Sequence, residues 1–166
     1  MRDRIPGYDP VWHETTEALM AAEGPQLERL QGCRLLNVYS LWDVGMECWH
    51  DRAPVVFELD AFNLEVCHAG LHALAVTVNA VELMPVPGCE WRIGRPELNG
   101  FVGAFIAGVD LVEFAATPAE GSGWMLHGIG FETTTGYFAV DNGWDRNVIR
   151  IGKDYADDIR TRMVVG

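Results

Sequence analysis

Two spacings of apolar residues divide the chain. Over residues 9–31 the apolar positions fall at helical intervals: Trp12, Leu19 and Ala22 share one face, and Glu14, Glu17 and Glu23 the other. Asp9-Pro10 reads as a helix start, an acceptor for free N–H groups followed by a residue that needs no donor in the first turn. Gly24-Pro25 reads as its stop, and a second short helix is expected to bury Leu27 and Leu30 and to end at Gly32.

From Arg34 the period shortens to two. The runs LLNVYSL, PVVFELD, LEVC, LAVTVNAVEL, FVGAFIAGVDLVEF, WMLHGIGFE, GYFAVDNG and NVIRI are rich in Val, Ile, Phe and Tyr and are separated by Gly, Asp and Asn. The pattern predicts an α+β domain over residues 1–166: an N-terminal helix or two, then about a dozen short antiparallel strands in a sandwich or open barrel. Residues 116–123, ATPAEGSG, read as a surface loop, and the Pro- and Gly-rich residues 84–90 as the joint between two halves.

The halves resemble one another. VFELDAFNLEVCHA, from Val56, aligns without a gap on GFETTTGYFAVDNG, from Gly130, pairing Phe57 with Phe131, Glu58 with Glu132, Leu64 with Phe138 and Val66 with Val140. Gly32 before LLNVYSL corresponds to Gly100 before GAFIAGV, and NAVEL from Asn79 to NVIRI from Asn147. The sequence thus suggests repeat halves over residues 32–84 and 99–152, whose packing would cover the edges each alone exposes. In this alignment CHAG falls opposite Asn142-Gly143, a strong hairpin-turn signal, so CHAG is expected to be a turn as well.

Composition narrows the function classes. The 166 residues are 49% hydrophobic and 22% charged, which fits an ordinary folded domain with a core of its own. Twenty-four acids against 12 bases, eleven of them Arg and the last Lys153, give a net charge of −12. Such a field disfavours nucleic acid and anionic membrane and favours a basic partner. The Arg bias suits a bacterial origin. No apolar run is long enough to span a membrane and the first residues lack a signal's apolar core, so the expectation is a cytoplasmic protein with Cys33, Cys48, Cys67 and Cys89 reduced.

Several chemistries find no support. Ser40 and Ser122, the two serines, lie in no Gly-x-Ser-x-Gly elbow, and there is no phosphate-binding loop or dinucleotide fingerprint. No cofactor is implied. Cys48, His50, Cys67, His68 and His72 offer zinc-type donors, but at spacings foreign to zinc units, so no metal is expected. Asp141, Asp145 and Asn147 carry oxygen donors without the spacing of a calcium loop, and a turn explains them better. A thiol activated by His50, His68 or His127 needs an electropositive setting that an acidic chain does not favour. Glu58 and Glu132, equivalent in the repeat, are the remaining catalytic candidates as a carboxylate pair.

Trp42, Trp49, Trp91, Trp124 and Trp144 form the candidate binding surface, with Trp144 expected to pack at the sheet end. The leading expectation is a soluble, non-enzymatic, acidic binding protein that inhibits or neutralises a basic protein. The alternatives are a β-barrel that binds a small molecule and a small enzyme using the carboxylates or a Cys/His site. A homo-oligomer is compatible with the sequence.

Overall fold

The computed structural model describes residues 4–116 and 123–166, so most of the loop expected over residues 116–123, Ser122 included, lies outside the described residues. One α-helix, α1 (Thr16–Glu28), precedes eleven described strands: β1 (Leu35–Asp43), β2 (Cys48–Trp49), β3 (Val55–Leu59), β4 (Asn63–Ala69), β5 (Ala73–Val78), β6 (Cys89–Ile93), β7 (Ile106–Ala115), β8 (Trp124–Thr133), β9 (Gly136–Asn142), β10 (Asn147–Ile151) and β11 (Ile159–Val165). A 3-10 helix, Pro96–Phe101, joins β6 to β7. No helix among the described residues is long and apolar enough to cross a membrane.

The strands form two antiparallel sheets. In the first, β1, β3, β4 and β5 are consecutive neighbours, β2 pairs with the end of β1, and β6 returns to pair with β1. In the second, β7, β8, β9 and β10 are neighbours and β11 returns to pair with β7. Neither sheet closes on itself.

Both sheets contribute to one core. Alternation sends Val55, Phe57 and Leu59 of β3 inward together with Ile129 and Phe131 of β8 and Phe138 of β9. The Phe57 ring lies 5.4 Å from that of Phe131 and 5.6 Å from that of Phe138. All three are at most 2% exposed, so the space between the sheets is filled.

The N-terminal segment departs from the expected pattern. Asp9-Pro10 starts no helix: His13 exchanges both backbone hydrogen bonds with Leu74 of β5, at 2.9 Å each, which holds the segment extended. Thr15 is the cap instead, its hydroxyl accepting from the Ala18 N–H. One helix then runs through Gly24-Pro25, where a stop was expected. An interior proline costs roughly 3 kcal/mol. Leu27 and Leu30, both fully buried with Leu19 in the core, each return roughly 1.5–3 kcal/mol. Ala22, expected inward, is exposed, and Trp12 is half-buried against a second core.

That second core covers the outer face of the first sheet. Ile5, Tyr8 and Trp12 from the N-terminal segment and Val81 and Val86 from the β5–β6 connection pack on Leu41, Val56 and Cys67. NAVEL is therefore not a strand. Asn79 turns the chain out of β5 at φ 53°, and Val81 leaves the sheet to help cover it. Glu65, fully buried beneath this layer, accepts from the Thr77 hydroxyl at 2.7 Å, and burial raises its pKa.

Candidate functional site

The two turns singled out by the repeat meet at one end of the molecule, though neither sits where the sequence placed it. Cys67, His68 and Ala69 are the end of β4, and the first turn comprises residues 70–72, with Gly70 at φ 55°. In the second, the positive-φ pair is Trp144 and Asp145, at 64° and 66°, two residues beyond the expected Asn142-Gly143 pair. Those angles at both central positions are what a type I′ turn requires. Gly143 and Arg146 close it, the Gly143 N–H donating to the Arg146 carbonyl at 2.8 Å.

Polar side chains then join turn to turn. The Gly70 N–H donates to Asp145 Oδ1 at 2.9 Å, and the Gly70 carbonyl accepts from the Asp145 N–H at 2.8 Å and from Asn142 Nδ2 at 3.3 Å. Asn147, only 1% exposed, accepts the His68 N–H on Oδ1 at 3.0 Å and lies 3.0 Å from His68 Nδ1 with the same oxygen. Its amide donates to the Ala53 carbonyl at 2.6 Å, and its N–H to the Asp51 carbonyl at 2.7 Å. Asp141 is engaged elsewhere, its Oδ2 accepting from Arg150 Nε at 2.6 Å, while burial raises its pKa. The oxygen donors of DNGWDRN are thus used to hold sheets and turns together.

Beside this junction lies a cleft of about 210 Å³. Leu71 and His72 line it from the first turn, Asn142 and Trp144 from the second, Phe114 and His127 from β7 and β8, and Asp158 and Ile159 from the start of β11. His127 arrives there through a bulge. Val112 pairs with Gly128 but Glu113 pairs with Leu126, so His127 is the extra residue of β8, and bulges re-aim side chains in this way. Phe114 stacks on His72 with centroids 5.2 Å apart and meets His127 edge-on at 5.8 Å. Burial holds the His127 pKa below the ordinary histidine value, with Arg150 and His72 acting in the same direction and the Asp141 and Asp158 carboxylates opposing it.

The tryptophans are spread over several places. Trp42 and Trp49 meet edge-to-face at 5.0 Å across β1 and β2, and Trp91 of β6 packs on the second core. Trp124 is 39% exposed at the start of β8. Trp144, expected to pack at the sheet end, is instead 77% exposed, because the positive φ of its turn projects the ring outward.

The other sequence candidates are not gathered into one site. Glu58 and Glu132 follow core-facing Phe57 and Phe131, so alternation sends them to the outer faces of opposite sheets. Glu58 accepts from Asn37 at 2.7 Å, while Glu132 pairs with Lys153 at 2.8 Å. Cys48 is exposed on β2, Cys67 and His68 are buried in β4, and His72 stacks on Phe114. Burial also lowers the pKa of His50. Among the described residues no group of three or more His, Cys, Asp or Glu side chains has the arrangement to hold a metal ion. Chelator is therefore expected to leave the melting temperature unchanged, and elemental analysis of protein purified without metal resins to find no stoichiometric metal. A zinc ion per chain, with a melting temperature that falls on chelation, overturns this.

Sequence reasoning missed Leu71, Phe114 and Asp158 altogether, and it weighed His127 only as a partner for a thiol. The one available signal was the glycine pair Gly128 and Gly130 inside a strand pattern, which marks a bulge or a close approach. Comparison with known proteins found no matching family model, curated protein or solved structure.

Proposed function

We propose that this chain is a non-catalytic binding protein that engages and neutralises a basic protein partner through the end of the molecule where the two turns meet. The observation that carries this reading is Trp144, 77% exposed on a turn pinned by Asn142, Asp145 and Gly70. A large ring held out rigidly loses little entropy on binding, and exposed aromatics of this kind anchor interfaces. The charge agrees. Arg92, Arg95, Arg150, Lys153, Arg160 and Arg162 are already paired with the chain's own carboxylates, and the net charge of −12 remains for a partner to meet. The filled space between the sheets favours the surface over an internal ligand, and separated Glu58 and Glu132 offer no joint acid–base chemistry.

The test is retention of native lysate proteins on the immobilised chain. A basic protein held at low salt, released at high salt and not retained by Trp144→Asn is the expected result, since steering between opposite charges is screened. Asparagine tolerates the positive φ, so the turn persists while the ring is lost. Retention indifferent to both salt and the substitution sinks the reading.

We also infer that the sheets are the layers of a sandwich built by duplication of one β unit. In support, β6-β1-β3-β4-β5 and β11-β7-β8-β9-β10 have the same order, and the matched Phe57 and Phe131 face each other in the core. The unit then extends past the expected 32–84 and 99–152 to include β6 and β11.

A further inference from the structure

Several half-buried or exposed aromatic rings elsewhere on the protein are covered by the chain's own cations. Arg92 lies over Trp42 at 4.7 Å, Arg95 over Trp49 at 5.7 Å and Arg160 over Trp124 at 4.1 Å. Arg34 covers Phe105 at 5.9 Å in the same way. Trp144 is the most exposed of the described tryptophans and phenylalanines, and no cation of the described residues lies over it. It stands at the cleft, with Leu71 on the neighbouring turn, Asn142 and Asp158 in the walls and His72 and Phe114 stacked beside them. Asp145, next to Trp144, is occupied by Gly70 and by Arg52 at 3.4 Å. Asp158 pairs with no Arg or Lys among the described residues, and its charge is felt at His127 within the cleft.

We infer that this cleft receives one arginine side chain of the basic partner, stacked flat on the Trp144 indole with its guanidinium directed to the Asp158 carboxylate. The inference rests on the partner reading above and says where and how that partner is held. Three features support it. A volume of about 210 Å³ is below the roughly 300–1,000 Å³ of drug-sized ligand sites and suits a single inserted side chain. A planar, weakly hydrated guanidinium gains both from an aromatic face and from a carboxylate at its edge, where a lysine ammonium gains mainly from point charge. The protein already makes this contact internally, with arginine over tryptophan at three places.

The experiment titrates isotope-labelled protein at low salt with a blocked glycyl-arginyl-glycine peptide and, separately, with its lysine counterpart, following the tryptophan indole and backbone amide resonances. The arginine peptide is expected to shift the Trp144 indole and the Leu71 and Asp158 amides saturably, and the lysine peptide to bind several-fold more weakly. Trp144→Asn and Asp158→Asn should each weaken the arginine peptide by about tenfold, a loss of about 1.4 kcal/mol. Both variants keep the backbone geometry of their sites, and their dispersed spectra verify folding. Shifts centred on Trp42 and Trp49, or binding that neither substitution weakens, overturn the inference. A basic protein retained in a Trp144-dependent way, with a Trp144 indole unmoved by the arginine peptide, defeats this inference and leaves the partner reading standing. Arginine peptide seated at Trp144 with no basic protein retained does the reverse.

Discussion

Asn147→Ala is expected to lower the free energy of unfolding by about 3 kcal/mol, because one buried side chain satisfies groups on two other segments. Its oxygen takes the His68 backbone N–H and faces the His68 ring nitrogen, and its amide meets the Ala53 carbonyl. At 1% exposure none of these groups has ready access to bulk water. Each buried donor or acceptor left without a partner costs roughly 1–3 kcal/mol, and water entering the hole returns part of that. For a chain of this size the melting temperature should fall by about 6–12 °C. Urea unfolding of the parent, Asn147→Ala, His68→Ala and the double variant measures it. The double variant should cost clearly less than the two single losses added together, since the residues share one bond network. A single-variant loss below about 1 kcal/mol would mean that the turns are held by something other than this network.

Phe57→Ala is expected to cost about 3–5 kcal/mol, the largest effect of any single truncation at the centre of the fold. The ring is 2% exposed and packs within 6 Å, centroid to centroid, of Phe131 and Phe138 on the opposite sheet. Its removal leaves a cavity that two sheets fixed by their own ladders close only in part, so both the transfer and the void contributions are lost. Phe105→Ala is the comparison. That ring is 47% exposed beneath Arg34, and its loss should cost under about 1 kcal/mol. Equal midpoint shifts for the two variants in denaturant titration would show that the sheets do not share the core described above.

The strands were legible because alternation is a local property. Phe57, Leu64 and Val66, and the residues the alignment matched with them, Phe131, Phe138 and Val140, all lie in the shared core, as their spacing required. Where expectation and structure part, a distant segment decided. Residues 9–13 have the composition of a helix start but pair with Leu74. Pro25 should end a helix but sits in one that buries Leu19 and Leu27 on a single face. NAVEL has a strand's alternation but is drawn off to cover the outer face of the first sheet. In each case the tertiary gain exceeded the local preference of a few tenths to about 3 kcal/mol.

The candidate site shows the same division more sharply. That the chain turns near CHAG and near Asn142-Gly143 could be read from the sequence, though not at which residues. That the two turns touch, that Asn147 is their common joint and that His127 swings through a bulge into a cleft with Phe114 and Asp158 could not. The sequence by itself determined which residues face inward along each strand, because a period of two needs only near neighbours to be expressed. Which faces, turns and side chains meet was decided only by the tertiary structure, because contacts between residues 70 or more apart depend on how the sheets pack, and no local spacing records that.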